Sequence, residues 1–233
     1  MQILAEIVSY ASAAVGGVFA IFGFINGGLN RRTVFMAIMM ALFTVWAASI
    51  AVLYGVKEEQ VVIQLMVLNY VAICALSYAM MMLTLSFTTV SGKNFFIIGL
   101  VALIPALCLA LSMLIDVRTM FLGVEFSEQG VLFNVLQHPV GYSLFGILVL
   151  VYATCSFTFL GIGVGQAKTI AGKRALWLML VGGASINAFA MIFNLAIPMF
   201  LHDYSWGWVG TLALPGFALA SYRAVVKFAQ DEL

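Results

Sequence analysis

The chain has 233 residues; 64% are apolar or aromatic and only 8% are charged, and its mean hydropathy is +1.14. A soluble domain averages about 45–50% apolar and about 25% charged residues, so this chain holds too few charges to cover a water-facing surface. That excludes a soluble enzyme, a disordered tail, a coiled coil and a secreted disulfide scaffold, and a net charge of +1 offers no footprint for nucleic acid.

An integral membrane protein remains. A membrane helix needs about 20 mostly apolar residues, and seven stretches meet that length: 3–26, 33–54, 61–90, 95–115, 140–166, 174–200 and 207–229. The first is no signal peptide, because it lacks a basic leader and runs on through Gly16, Gly17 and Phe22. Turn-forming residues break the pattern at Asn26-Gly27-Gly28-Leu29-Asn30, at Ser91-Gly92-Lys93-Asn94 and at Ala171-Gly172-Lys173. Such short links set consecutive helices antiparallel and side by side. Cys74, Cys108 and Cys155 all fall inside apolar runs and read as small core-packing thiols rather than a disulfide framework.

Basic residues concentrate at one end. The odd-numbered links and the C-terminus carry Arg31, Arg32, Lys93, Lys168, Lys173, Arg174, Arg223 and Lys227, whereas the other end carries only Lys57 and Arg118. Cytoplasmic loops hold the excess of Lys and Arg, so the expected topology is an all-α seven-helix bundle with the N-terminus outside and residues 223–233 leaving into the cytoplasm.

The outer link 116–139 is too long for a turn. Met120 to Phe126 and Val131 to Val135 are β-prone runs around Ser127-Glu128-Gln129-Gly130, a pattern that predicts a β-hairpin. A lone hairpin is marginal in water, so it should lie on the outer mouth as a lid, with Phe121, Phe126 or Phe133 facing down.

Ionisable side chains within a span are expensive and mark function, and none lies near the middle of any span here; Glu6 sits close to the outer interface. Pumps and ion-driven carriers need such groups, and a retinal Schiff base needs a lysine at depth, which Lys227 at the cytoplasmic exit does not supply. No nucleophile–base pair, HExxH, Walker loop or paired carboxylate is present, so no catalysis and no cofactor are expected. Uncharged polar residues remain: Gln64, Asn69, Tyr70, Ser77 and Tyr78, then Tyr142 and Tyr152, then Asn187, Asn194 and Tyr222. They read either as hydrogen-bonding glue between helices or as a polar lining that orients an amphipathic ligand. Asn69, Tyr70, Tyr142, Asn194 and Trp206 are the ligand-binding candidates, and glue is the expectation for Asn187.

His138 and His202, with Asp203, have the side chains of a zinc, copper or iron site. No local spacing supports one, and His138-Pro139 suits a helix start. Pro105, Pro198 and Pro215 interrupt spans four, six and seven. Pro215-Gly216 reads either as shape or as a hinge that transmits toward the cytoplasm through Tyr222 and Arg223. Trp46, Tyr204, Trp206 and Trp208 also suit an interfacial belt or packing, and Gly161, Gly163 and Gly165 suit close helix packing.

Span six, with Asn187, Asn194 and Pro198, is followed by His202-Asp203-Tyr204 and by Pro215-Gly216-Phe217-Ala218-Leu219-Ala220-Ser221-Tyr222-Arg223. This stretch resembles the end of the N-terminal seven-helix sensor region of bacterial membrane histidine kinases. In that family the last helix closes on a small-aromatic-basic stretch and enters a cytoplasmic signalling helix. Pro139, Gly141 and Tyr142 after the outer link look similar as well, and the layout is like the membrane part of acyl-homoserine-lactone receptor kinases. The likeness covers the whole chain in topology and is loose in sequence before residue 116. The family's dimerisation helix and ATP-binding domain would follow residue 233, so the chain is expected to be an excised sensor or a stand-alone protein without kinase activity.

The resemblance implies a quorum-sensing or other two-component receptor in the bacterial inner membrane. It would be a homodimer, surrounded by membrane lipid, that binds a small apolar or amphipathic ligand and signals to a cytoplasmic domain or partner. The rival expectation is a non-catalytic membrane subunit that scaffolds a larger complex.

Overall fold

The computed structural model describes residues 2–27, 30–126, 133–197, 200 and 206–231. Among them, seven helices are long and apolar enough to cross a membrane. They are α1 (Gln2–Gly27), α2 (Arg31–Leu53), α3 (Glu59–Leu85), α4 (Gly92–Ile115), α5 (Pro139–Gln166), α6 (Ile170–Ala190) and α7 (Leu214–Asp231), the last spanning from Gly207 in the preceding 3₁₀ stretch to Val226. α6 continues as a π-helical turn, Met191–Ala196, and α7 is preceded by a 3₁₀ stretch, Gly207–Ala213. Between α4 and α5 lie a short 3₁₀ turn (Val117–Thr119), β1 (Phe121–Phe126) and β2 (Phe133–Gln137).

Side-chain oxygens decide where several helices start and stop. Asn30 accepts from the Thr33 amide at 3.0 Å to cap α2, and Thr169 accepts from the Gly172 amide at 3.0 Å to cap α6; each satisfies an amide that the first turn leaves orphaned. The last break therefore lies at 167–169, and Gly172 belongs to the first turn of α6, not to the link expected there. α3 stops at Leu85 and not at residue 90. Beyond it, the Ser86 and Thr88 hydroxyls donate to the carbonyls of Leu83 and Leu85 at 2.5 and 2.7 Å, and hydroxyl side chains of this kind compete with helix continuation. Arg32 fastens this corner, its Nε donating to the Ser86 carbonyl at 3.1 Å.

Burial separates inner from outer helices. α2 buries 12 of its 23 residues, whereas α4 buries only Phe95, Gly99, Ala106 and Met113 of its 24. α1, α2, α3, α5, α6 and α7 pack in a closed ring, and α4 leans on the outside of α3 with little contact to α5. Because α4 is peripheral, Cys108 is exposed, contrary to the core position expected; Cys74 is buried. Of the three glycines expected to mediate packing in α5, only Gly163 meets a neighbour, Phe87; a side chain at Gly161 or Gly165 would meet nothing within 4 Å.

Pro105 lies within α4 and does not end it. A helical proline leaves the carbonyl four residues earlier, here Val101, without its amide, and the Tyr152 hydroxyl of α5 donates to the next carbonyl along, that of Ala102. Tyr152→Phe is expected to lower stability by about 0.6–2 kcal/mol, the range of hydrogen bonds between membrane helices, as measured by denaturant unfolding in mixed micelles.

β1 and β2 pair antiparallel, with Val124 opposite Val135, Glu125 opposite Asn134 and Phe126 opposite Phe133, and an irregularity between Phe121 and Gly123. The second strand runs on to Gln137, two residues beyond the expected end. The connecting residues 127–132 lie outside the described residues. Phe121 is the aromatic residue turned inward, at 2% exposure against 42% for Phe126; the side chain of Phe133 is not among those described. The Phe121 ring stands edge-on to Tyr70 of α3, 5.2 Å between centroids.

Candidate functional site

Under β1, four aromatic rings form a layer. Tyr70 packs against Phe121, against Phe145 at 4.6 Å and against Tyr142 at 5.9 Å between centroids. The Tyr70 hydroxyl donates to the Tyr142 hydroxyl at 3.3 Å, and Tyr142 donates to the carbonyls of Asn194 and Leu195 at 3.0 and 3.4 Å. Those carbonyls belong to the π-helical turn. A π turn widens the helix and breaks its normal hydrogen-bond ladder, and such turns recur at functional sites. The two tyrosines therefore connect the strand pair to the irregular end of α6.

A cavity of about 70 Å³ opens beside this turn. Its wall is formed by α2 (Phe43, Trp46), α3 (Ile73, Leu76, Ser77, Met80), α5 (Phe145, Val149, Ala153, Ser156) and α6 with its π turn (Ile186, Asn187, Ala190, Met191, Asn194, Leu195). A single water needs about 10–15 Å³ measured in this way, so the space takes several waters or the body of a small molecule. No charged residue lines it, and apolar side chains predominate, with Asn194 toward the strand-bearing end and Asn187, Ser77 and Ser156 deeper. Asn187 joins helices as expected, its Nδ2 donating to the Met80 sulfur of α3 at 3.7 Å, and it also donates to the Gly183 carbonyl of its own helix at 2.8 Å. Met80 and Met191 on the wall have unbranched, polarizable side chains that adapt to varied shapes.

A second cavity, of about 30 Å³, lies beyond Asn194 and is lined by Tyr54, Asn69, Tyr70, Gly207 and apolar neighbours. Asn194 and Ile73 line both cavities, so the Asn194 side chain stands at the partition. It also reaches the 3₁₀ stretch: a β-carbon on Gly210 would stand 2.3 Å from Asn194 Nδ2, and one on Gly207 3.2 Å from Asn194 Oδ1. Only glycine lets the amide lie there. A 3₁₀ run of seven residues is long for a conformation with poor hydrogen-bond geometry. It is held by Tyr54, whose hydroxyl accepts from the Trp208 amide at 3.3 Å, and by Ser12 of α1, which donates to the Thr211 carbonyl at 3.2 Å. Among the described residues, Asn194 Nδ2 and Trp46 Nε1 are both buried without a hydrogen-bond partner, a costly condition away from water.

Tyr70, Tyr142 and Asn194 are thus brought together. Asn69 lines the smaller cavity and also joins α3 to α2, its Nδ2 donating to Ser49 Oγ at 2.9 Å. Trp206 stands apart from both cavities and is 39% exposed, while Trp208 two residues on is 8% exposed. Pro215 is the second residue of α7, directly after the 3₁₀ stretch, a first-turn position that tolerates its missing amide. Gly216 meets nothing within 4 Å, and Tyr222 packs on Phe19 of α1 at 5.7 Å between centroids; Arg223 is exposed. His138 caps α5, accepting from the Gly141 amide at 3.5 Å. His202, Asp203 and Pro198 lie outside the described residues. Trp46, Met191, Gly207 and Gly210 were missed in the sequence, where a tryptophan amid apolar residues and two glycines near a helix start carry no distinguishing pattern.

No family model matches the sequence, and no curated protein matches it.

Proposed function

We propose that the chain is a membrane receptor module: a small, uncharged, apolar or amphipathic molecule occupies the cavity among α2, α3, α5 and α6, and its presence is passed through Asn194 and the 3₁₀ stretch to α7. The observation that carries this reading is the place of Asn194. One side chain sits at the cavity wall, in the π turn, and against Gly207 and Gly210 of the segment that becomes α7. A molecule changes the conformation only if it binds two states unequally. The two non-α stretches that meet at Asn194 are the natural places for a second state, since neither is a deep backbone minimum.

The eight-to-two bias of basic residues supports an outward N-terminus and an inward C-terminus. On that orientation the strand pair is an outer lid, Phe121 and Tyr70 connect it to the π turn, and residues 223–233 deliver the signal to a cytoplasmic partner or kinase domain. The resemblance to histidine-kinase sensor regions supports a homodimer in a bacterial inner membrane, with no catalysis by this chain. The scaffold-subunit reading draws on α4, whose outward face, including Phe96, Leu100, Ile104 and Leu107, is apolar and exposed.

Photolabelling separates the two. An aliphatic diazirine alcohol added to the purified protein is expected to form adducts on Met80, Met191 or Ile73, and these adducts should fall at least tenfold in an Asn194→Leu, Tyr70→Phe double variant. Labelling confined to α4 and the other outward faces, unchanged in the variant, would remove the receptor reading and favour the scaffold.

A further inference from the structure

A second site lies on the outside of the bundle. Near the strand pair α4 and α5 separate, and an open groove of about 530 Å³ runs between them, lined by Leu109, Leu122, Val140 and Leu144 below and by Asp116, Arg118 and His138 at its rim. The volume falls within the roughly 300–1,000 Å³ of small-molecule sites. The groove shares no lining residue with the two inner cavities. Of its apolar lining, Leu109, Val140 and Leu144 belong to the ends of two membrane-crossing helices and Leu122 to β1, so the helical wall faces acyl chains and the rim stands at headgroup depth.

The rim chemistry narrows the occupant. Thr119 and Ser112, which also line the groove, spend their hydroxyl protons on the carbonyls of Asp116 and Leu109. One Asp116 carboxylate oxygen accepts from the Arg118 amide at 2.9 Å, an arrangement that serves the backbone of the 3₁₀ turn. No ion pair joins Arg118 to any carboxylate among the described residues. His138 Nδ1 accepts from Gly141, so in the neutral ring Nε2 carries the proton and is a donor. What the rim has to offer is a guanidinium, an imidazole N–H and a carboxylate, above an apolar slot.

We infer that this groove binds a zwitterionic phospholipid, with its phosphate on Arg118 and His138, its ammonium group at Asp116, and an acyl chain along Leu109, Leu122, Val140 and Leu144. Guanidinium and phosphate match in geometry and charge. A lipid with a phosphate and no ammonium would bring a net negative charge against Asp116, so the carboxylate selects for phosphatidylethanolamine over phosphatidylglycerol. This site is independent of the inner cavity and of the receptor reading.

The test is native mass spectrometry of the full chain, delipidated in detergent and titrated separately with phosphatidylethanolamine and phosphatidylglycerol. One phosphatidylethanolamine per chain should be retained in preference to phosphatidylglycerol. Arg118→Gln should weaken that retention about tenfold, the scale of one charge-assisted contact, and Asp116→Asn should abolish the preference between the two lipids. Both positions are exposed, so neither substitution removes a packed side chain, and thermal unfolding of each variant checks that the fold is kept. Equal retention of the two lipids by the unmodified chain, or retention unaffected by either substitution, overturns the proposal.

Discussion

Gly141→Ala is expected to destabilise the protein more than any other single-methyl addition, by about 3 kcal/mol or more, at the upper end of overpacking costs. A β-carbon at this position would stand 1.7 Å from the Thr119 carbonyl oxygen and 2.9 Å from its carbon. The obstacle is backbone, so no rotamer change relieves it. The 3₁₀ turn Val117–Thr119 would have to leave α5, and with it the hydrogen bond from the His138 amide to the Met120 carbonyl at 2.8 Å and the seat of Phe121 on Tyr70. The control is Gly161→Ala in the same helix: a methyl there meets nothing within 4 Å and should be neutral or stabilising by up to about 1 kcal/mol, the helix-propensity gain. Unfolding of the two variants in detergent, side by side, reads the difference. If Gly141→Ala unfolds like its control, the close docking of the α4–α5 link on α5 is wrong.

Gly210→Ala is expected to act on binding and not on folding. Its methyl would stand 2.3 Å from Asn194 Nδ2, with Trp46 at 3.5 Å. Here the obstacle is the end of a side chain, so the amide turns away while the fold remains. Asn194 then leaves the 3₁₀ stretch and moves into the cavity that it borders. Photolabelling of the cavity should fall at least tenfold, equivalent to about 1.4 kcal/mol, with the unfolding midpoint little changed. Gly216→Ala, where a methyl meets nothing within 4 Å, should leave labelling intact. Equal labelling in both variants would show that Asn194 is no part of the site.

How far these features could be read from the sequence depends on their physical origin. Spans are set by composition, and the seven runs of apolar residues locate seven helices to within a few positions. Helix ends were read less well where hydroxyl chemistry decides them: α3 stops before the apolar run does, and Gly172, a turn former by type, sits inside α6 because Thr169 caps it. Tyr70, Tyr142 and Asn194 stood out because polar groups within a span need partners. Their joining was not legible, because it depends on α5 packing beside α3 while α4 is left outside, a long-range arrangement that no local pattern encodes. The π turn and the long 3₁₀ stretch have no sequence period of their own. Trp206 illustrates the opposite error: being aromatic and near the outer end made it a candidate, but its neighbour Trp208 takes the buried place.

The most direct test of the receptor reading is native mass spectrometry of the chain, purified in mild detergent, followed by extraction and identification of what remains bound. The expected result is one small uncharged amphiphile per chain, lost in Asn194→Leu. That species should persist in Arg118→Gln, which alters only the outer groove. A chain that arrives without such a molecule and instead carries a defined protein partner would contradict the receptor and leave the scaffold subunit in its place.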